Sequence, residues 1–402
     1  MPTREEKLEA MLKDFETRTQ GDANKPGENL RHVLDSSPDL KERVLESVDK
    51  DQLKKFELLP ANAHAGGSYD PTHQIMNLPQ DKLDVAGKDK AATAELVFVT
   101  GHEIQHSLNS PAYVKAAEKQ FTDDAWKIAT GPGPHDYTAA IKDKLQVNRK
   151  DEAEANLGGF NALASQVQKD KPGATLEDIY KANPFRMNDF IDVSGTRGHQ
   201  TYTMKPDLAL DRGKDGKSIM HITASAQNVE AMGKHYFDKG PAEARLGTHG
   251  NQDYKHYYGE GALATVDLYE KTVNEAHQKA DPKYTPPEVR VDLKQLGLDK
   301  SLLDPKLNYT DTSPGKTHPI LEGAGHPEHS TTQPAKGPFG DPALDQAYRA
   351  MQKGDDAQLN AAVHKVNDSS EGQRLAQTGR QLLSEQPRPE QPIQQPAPTH
   401  TR

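Results

Sequence analysis

Residues 96–109 read LVFVTGHEIQHSLN, a largely apolar run that carries two histidines and one glutamate. On a helix, His102 and His106 lie one turn apart, so both imidazoles project from the same face and can bind one ion. Glu103 lies beside them, within reach of a water molecule at that ion. The uncharged neighbours of the motif are typical of a helix between a core and a cleft. The segment therefore predicts a metal-binding helix over about 90–109.

Any transition-metal site in this chain must be built from histidines and carboxylates, because the sequence has no cysteine. A catalytic zinc site needs a third protein ligand and an open coordination position. The extended motif HExxHxxGxxH would place a glycine and a histidine at positions that Asn109 and Ala112 occupy. We therefore expect the third ligand to be a carboxylate from a later helix.

Glu152 is the first candidate for that carboxylate. On a helix it shares a face with Ala155, Asn156 and Gly159, and small residues on this face let the helix approach the metal-binding helix closely. Asn156, one turn from Glu152, is placed to hydrogen-bond a metal ligand. Glu154 is the second choice, since it points to a different face.

Two alternatives for the third ligand stay open at this point. The acidic side chains of residues 151–154 could form a solvated charged turn instead of a metal site. Asp253 or His249 could supply the third ligand, although no spacing fixes either residue.

The metal-binding pattern resembles that of the zincin metallopeptidases with a glutamate ligand, the gluzincins. The resemblance implies one catalytic Zn²⁺ on His102, His106 and Glu152, with Glu103 as general base. The sequence departs from the family at Asn156, where such families commonly have an aspartate that orients the first histidine. The resemblance covers about residues 61–168, and the residues that carry it are Val99, His102, Glu103, His106, Leu108, Glu152, Ala155 and Asn156.

The sequence before the metal-binding helix predicts a β-hairpin. Two short extended pieces, 66–69 and 75–78, flank the turn signal Asp70-Pro71. Zincins usually have an edge strand above the zinc helix, and substrate pairs with it as an added strand. The alternative is a hairpin that only covers the core. The substrate-binding residues that the resemblance implies are Gly67, Ser68 and Tyr69.

The implied reaction is hydrolysis of a peptide bond. Zinc lowers the pKa of bound water to about 7, and Glu103 takes the proton as the water attacks a carbonyl carbon, then delivers it to the leaving amine. The resulting oxyanion needs a further donor, usually His, Tyr or Arg. The candidate donors are His199, Tyr202, His249, Tyr254, His256, Tyr257 and Tyr258, with Arg197 beside the first two.

The charge balance and hydropathy argue against two classes of function. Acidic residues outnumber basic ones by 60 to 50, which disfavours a surface for nucleic-acid phosphates. No run approaches the ~18 apolar residues that a membrane span requires, and the first residues have no apolar signal-peptide core. We expect a protein without nucleic-acid binding or a membrane span, made in the cytoplasm without a Sec signal.

The chain is predicted to be α+β and mainly helical, with a zincin-like catalytic domain and a small edge sheet. Capping signals at Thr3 and at Ser37-Pro38 predict N-terminal helices, and further helices are predicted over about 110–126 and 137–167. The mixed sequence pattern of residues 170–280 permits no assignment of secondary structure. The predicted organisation is a helical region at 1–60, the catalytic domain at 61–280, a Gly/Pro-rich linker at 281–340, and a small helical hairpin with a disordered Pro/Gln-rich tail at 341–402.

The C-terminal sequence is loosely similar to the secretion domains of Xanthomonadales type IV antibacterial effectors. The similarity rests on FGDPALDQAYRAMQ at 339–352, SSEGQRLAQTGRQLL at 369–383 and a Gln-rich end. It implies export by a dedicated secretion system, a cognate immunity protein, and a peptide or protein substrate such as cell-wall peptide. The alternative is a plain disordered appendage. The linker histidines, predicted to be solvated and non-catalytic, are His318, His326 and His329.

The sequence thus predicts a zinc-dependent metallopeptidase that acts as a secreted bacterial effector or toxin. The competing hypothesis is a non-catalytic interaction protein in which a structural zinc ties two helices together. Glu103 distinguishes the two hypotheses, because a structural site closes its fourth position with another ligand and needs no general base.

Overall fold

The computed structural model describes residues 2–59, 66–214, 218–247 and 250–314. These residues form a mainly helical α+β structure with small sheets, as the sequence predicts. Among them, no helix has both the length and the hydropathy needed to cross a bilayer. The predicted C-terminal hairpin and tail lie outside the described residues, as do His249, His318, His326 and His329.

The helices make up most of the described chain. In chain order they are α1 (Arg4–Thr19), α2 (Pro26–Ser36), α3 (Pro38–Asp49), α4 (Gln80–Leu83), α5 (Lys90–Asn109), α6 (Lys115–Ala129), α7 (Thr138–Asp170), α8 (Leu176–Ala182), α9 (Pro184–Met187), α10 (Ala226–Met232), α11 (Pro241–Ala244), α12 (Tyr254–Ala280) and α13 (Leu293–Leu296). Two π-helical turns, Ser110–Val114 and Gly233–Phe237, directly follow α5 and α10, and a 3₁₀ helix spans Lys300–Leu302.

The strands are short, with two to six residues each. They are β1 (Lys55–Leu58), β2 (Ser68–Asp70), β3 (Ile75–Leu78), β4 (His135–Asp136), β5 (Ile191–Thr196), β6 (His199–Met204), β7 (Val289–Val291) and β8 (Thr310–Asp311). β3 pairs in parallel with β1 and antiparallel with β2. β7 pairs in parallel with β4 and β8, and β5 and β6 form a hairpin. The predicted hairpin of 66–69 and 75–78 is confirmed as the β2–β3 pair, with β2 at the sheet edge.

Helices α1 and α3 begin at the capping residues that the sequence indicates. Thr3 accepts a hydrogen bond from the Glu6 amide, and the Glu6 carboxylate accepts one from the Thr3 amide, which is a capping box. Ser37 accepts a hydrogen bond from the Leu40 amide and donates its own hydroxyl to Ala162 O of α7. The apolar residues of α1, α2 and α3 share one core with β1, β3 and α5. The N-terminal helices therefore share a core with α5, the helix that carries His102 and His106.

Helices α5 and α7 pack closely because small residues meet between them. A Cβ atom at Gly101 of α5 would lie 2.6 Å from Ala162 Cβ and 3.0 Å from Gly158 O of α7. A Cβ atom at Gly159 of α7 would lie 2.8 Å from the Phe98 ring of α5. Larger side chains at these glycines would push the two helices apart, since the interior is already at close-packed density.

Three segments differ from the sequence prediction. No new helix begins at Ser110, because a π-helical turn continues α5 into α6. Strand β1 forms within the region predicted as helical, where Phe56 pairs with Met76 and both side chains enter the core. Part of the predicted linker, 289–303, is folded, because its valines and leucines are buried in a core shared with α6, α7 and α12.

Gly101→Ala should destabilise the protein, because the added methyl group would overlap Ala162 and Gly158. The expected loss in free energy of unfolding is about 1–3 kcal/mol, measured by denaturant titration. Gly261→Ala in α12 is the matched control, since the Cβ position at Gly261 has open space around it among the described residues. That variant should gain about 0.5–1 kcal/mol. Equal unfolding free energies for the two variants would contradict the close helix packing.

Candidate metal centre

Helix α5 presents both histidines of the motif on one face. The Nε2 atoms of His102 and His106 are 3.1 Å apart. Their ring centroids are 4.8 Å apart, with an angle of 77° between the ring planes. His102 is buried and His106 is half-buried. The predicted arrangement of two imidazoles that converge on one point is therefore present.

Helix α7 places Glu152 opposite the two histidines. Its Oε2 atom is 3.5 Å from His102 Nε2, and its Oε1 atom is 4.0 Å from His106 Nε2. All three residues offer ligand atoms that lie within 4.8 Å of one another. Ligand atoms bound about 2.1 Å from a tetrahedral zinc lie about 3.4 Å apart. The predicted convergence of these three residues is confirmed, and their spacing fits one metal ion.

The burial of Glu152 supports a cation at this point. The residue is only 6% exposed, and its Oε2 atom is buried with no hydrogen-bond partner among the described residues. A buried carboxylate oxygen without a hydrogen-bond donor carries a desolvation cost. A bound cation would offset that cost, so the donor set fits a metal ion.

Charges within the cluster outweigh the effect of burial on its titratable groups. Burial alone would raise the pKa of Glu152, but the contact with His102 and the charge of His106 lower it to about 2. Burial alone would lower the pKa of His106, but the charge and hydrogen bond of Asp151 raise it to about 10. Without a metal ion, Glu152 is therefore held as the carboxylate anion and His106 as the imidazolium, and a metal ion would take the place of the His106 proton.

Asp151 orients the second histidine of the motif. Its Oδ2 atom is 2.9 Å from His106 Nδ1, and its Oδ1 atom accepts a hydrogen bond from Asn109 Nδ2 at 2.8 Å. A carboxylate partner at Nδ1 leaves Nε2, the other ring nitrogen, for a metal ion. This role for Asp151 was not predicted from the sequence. Its position next to Glu152 could have indicated a carboxylate close to the histidines.

Asn156 does not make the predicted hydrogen bond to a metal ligand. It is fully buried one turn from Glu152, as expected, but its Nδ2 atom donates to Met232 Sδ at 3.2 Å. Its Oδ1 atom has no hydrogen-bond partner among the described residues. The hydrogen bond to a histidine of the cluster comes from Asp151 instead.

Glu154 and Asp253, the other described candidates for the third ligand, are engaged elsewhere. Glu154 accepts a hydrogen bond from Tyr113 at 2.8 Å and lies 3.7 Å from Lys150 Nζ. Asp253 caps α12 by accepting a hydrogen bond from the His256 amide at 2.8 Å. The acidic residues of α7 are therefore not a solvated turn, since Asp151 and Glu152 face the cluster and Glu154 contacts a tyrosine.

Glu103 lies on α5 beside the two histidines and is partly exposed. Its carboxylate makes no hydrogen bond or ion pair within the described part of the chain. The residues before β2 lie against it: a Cβ atom at Gly67 would be 3.4 Å from Glu103 Cγ and 2.6 Å from Val99 Cγ1. Only a glycine at position 67 lets the start of the edge strand come this close to the motif.

Side chains of strand β2 form hydrogen bonds with other parts of the protein. One main-chain edge of the strand has no neighbouring strand among the described residues. Ser68 Oγ accepts a hydrogen bond from Asn77 Nδ2 at 3.2 Å, and the Tyr69 hydroxyl donates to Gln52 O at 2.5 Å. The inner edge of β2 pairs with β3. The outer edge is therefore the part of β2 that a bound peptide could use.

Two tyrosines contact the ligand cluster, and a third contacts one of them. The Tyr258 hydroxyl donates to Glu152 Oε1 at 2.5 Å, and the Tyr236 ring lies 6.0 Å from the His102 ring. The hydroxyls of Tyr236 and Tyr254 are hydrogen-bonded to each other. Burial and the charge of Glu152 raise the pKa of all three tyrosines above the usual range. Their hydroxyls therefore remain protonated donors.

Two predicted donors on α12 have structural roles in the described chain. The ring nitrogens of His256 are both occupied, Nδ1 by Asp253 Oδ1 at 2.6 Å and Nε2 by the Asp299 amide at 2.7 Å. Tyr257 packs edge-on against the Tyr258 ring, with centroids 5.4 Å apart. His256 therefore holds the start of α12 and is not a donor at the cluster.

The predicted donors near residue 200 lie on the β5–β6 hairpin. Arg197 and His199 are exposed at its tip. Tyr202 packs against the Tyr180 ring, with centroids 5.4 Å apart, and its hydroxyl donates to Gln200 Oε1. From the predicted set, the structure therefore brings Tyr258 to Glu152. Tyr254 contacts Tyr236, which comes from the π-helical turn and lies beside His102.

Comparison of the chain with protein-family models, curated proteins and solved structures gives no match. The chemical interpretation of the centre therefore depends on its own geometry: two imidazoles and a buried carboxylate that fit one ion.

Asp151→Asn should lower zinc affinity about 10–100-fold, because His106 loses the carboxylate that orients it. Competition with a chromophoric chelator measures this affinity. Glu154→Gln is the matched control: it neutralises an acid of the same helix that contacts Tyr113 instead of a histidine. The control should bind zinc as the unaltered protein does, and a greater loss in Glu154→Gln than in Asp151→Asn would refute this assignment.

Proposed function

We propose that the protein is a zinc-dependent metallopeptidase that hydrolyses peptide bonds. Support comes from the convergence of His102, His106 and Glu152. The neighbouring Glu103 carboxylate has no hydrogen-bond or ion-pair partner among the described residues. A structural zinc site has no need of an additional unpaired carboxylate. A hydrolytic site requires one as a general base.

The donor set suits a catalytic zinc ion. His102 and His106 would each supply one imidazole nitrogen, and Glu152 would supply carboxylate oxygen, which is a ligand set used by zinc hydrolases. When bound, the ion supplies Lewis acidity that polarises a carbonyl group and makes water acidic near neutral pH. Asp151 holds His106 in the orientation that this role needs.

Glu103 is proposed to carry out the proton transfers. Its carboxylate takes a proton from the attacking water as the new C–O bond forms, and it delivers that proton to the nitrogen as the C–N bond breaks. Two observations support this role. The side chain is partly exposed, and it follows His102 on α5 and lies against Gly67.

The outer edge of β2 is proposed to bind the substrate as an additional strand. Main-chain groups along this edge can pair with an extended peptide of any sequence. The strand starts directly after Gly67, which lies against Glu103. A peptide paired with β2 would therefore run past the general base, and this favours a peptide or protein substrate.

Tyr236 and Tyr254 are proposed to donate to the developing oxyanion. Their hydroxyls form a pair, and the Tyr236 ring lies against His102. Loss of such a donor typically lowers the rate ~10²–10³-fold.

The C-terminal resemblance extends the proposal to an exported bacterial effector or toxin. Support comes from the sequence alone, through the segments 339–352 and 369–383. On this hypothesis the protein interacts with a secretion-machinery component and an immunity protein, and its substrates are envelope proteins or cell-wall peptides.

Glu103→Gln should bind zinc normally but lose hydrolysis. The amide keeps the shape of the side chain and cannot accept a proton, and general acid–base catalysis contributes about 10²–10⁴-fold. Metal content by mass spectrometry and cleavage of a fluorogenic peptide mixture measure the two properties.

Glu118→Gln is the control for this experiment, because Glu118 is an exposed residue of α6 that pairs with Lys144. It should keep both zinc and activity. Unchanged peptidase activity in Glu103→Gln would refute the mechanism. Zinc binding without any hydrolysis in the unaltered protein would favour the structural-zinc hypothesis.

A further inference from the structure

The two carboxylate oxygens of Glu152 have different surroundings. Oε1 accepts the hydroxyl hydrogen bond of Tyr258 at 2.5 Å and is 4.0 Å from His106 Nε2. Oε2 is 3.5 Å from His102 Nε2 and has no hydrogen-bond partner among the described residues, although it is buried. One oxygen is thus already held by the protein, and the other is available to bind a cation.

The packing of α12 fixes the position of the Tyr258 hydroxyl. The Tyr258 ring stacks on Phe237 with centroids 6.0 Å apart and an angle of 13° between the planes. Tyr257 packs edge-on against its ring. The next residue, Gly259, lies against Leu298, where a Cβ atom would meet side-chain atoms at 3.0 Å. These contacts hold the phenol ring from several directions, so its hydroxyl is directed at Glu152 by the fold.

We propose that Tyr258 is a positioning residue that makes Glu152 a one-oxygen metal ligand. Its hydroxyl retains Oε1, so that Oε2 alone binds the ion. The protein then supplies three ligand atoms, and the ion keeps positions for water and for substrate. A carboxylate bound through both oxygens would occupy one of those positions. This inference depends on the metal site of the proposed function but not on peptide hydrolysis.

The sequence suggests a different role for Tyr258, as a donor to the oxyanion. In that role the hydroxyl would leave Glu152 when substrate binds, and its loss would slow hydrolysis without altering the metal. The two roles therefore predict different properties of the metal-loaded protein in the absence of substrate.

Tyr258→Phe tests the positioning role, because it removes the hydroxyl and keeps the ring. We expect zinc affinity to fall about 10–100-fold, as for other residues that orient metal ligands. With Co²⁺ in place of zinc, the visible absorption should weaken, because a two-oxygen Glu152 raises the coordination number. Chelator competition and absorption spectroscopy measure these effects without substrate, and circular dichroism of the metal-free protein reports on folding.

Tyr254→Phe is the matched control on the same helix. It also removes a phenol hydroxyl near the cluster, but that hydroxyl contacts Tyr236 instead of Glu152. Its zinc affinity should change less than threefold, and its Co²⁺ spectrum should match that of the unaltered protein.

The results separate this inference from the proposed function. Loss of zinc affinity with an altered Co²⁺ spectrum supports positioning by Tyr258, even if no peptide is cleaved. Unchanged affinity and spectrum overturn it, whether or not hydrolysis falls. If the variant does not fold, a crystal structure of the zinc-loaded unaltered protein decides: Glu152 bound through Oε2 alone, with Oε1 on Tyr258, supports the inference, and binding through both oxygens overturns it.

Discussion

The close approach of α5 and α7 is the constraint on which the candidate metal centre depends. The two helices meet at Gly101, where a Cβ atom would lie 2.6 Å from Ala162 Cβ. This contact lets the carboxylate of Glu152 reach within 3.5 Å of His102 Nε2. Ligand atoms of one zinc ion lie about 3.4 Å apart, so a wider separation of the helices would move Glu152 away from the distance that a shared ion requires. The small residues between the helices therefore set the geometry of the ligands as well as the stability of the core.

The positions of His102, His106 and Glu152 could be predicted from the sequence, because each follows from the geometry of a single helix. Spacing of four residues places His102 and His106 together on any helix. Small residues on the same face as Glu152 mark where α7 can approach α5. The hairpin that becomes β2 and β3 has a local turn signal at Asp70-Pro71, and α5 begins after Asp89, whose side chain caps it. Such signals can be recognised without knowledge of the tertiary structure.

The remainder of the centre depends on contacts between distant segments and had no local signal. Tyr236 reaches His102 from a π-helical turn, and Tyr258 reaches Glu152 across 106 positions of sequence. His256 has a side chain that could serve as a catalytic donor, but its ring nitrogens are hydrogen-bonded to Asp253 and to the Asp299 amide. Similarly, 289–303 was predicted as linker from nearby glycines and prolines, yet its apolar residues are buried in the core of α6, α7 and α12. Residue type alone does not distinguish a catalytic donor from a structural side chain, or a linker from a segment of the core.

The most direct test of the account is the metal content of the purified full-length chain, measured by native mass spectrometry for the unaltered protein and for His106→Ala and Glu152→Ala. The account predicts one zinc ion per chain in the unaltered protein and loss of that ion in both variants, because each removes a ligand from the cluster of His102, His106 and Glu152. Full zinc occupancy in either variant, or no bound metal in the unaltered protein at saturating zinc, would contradict it.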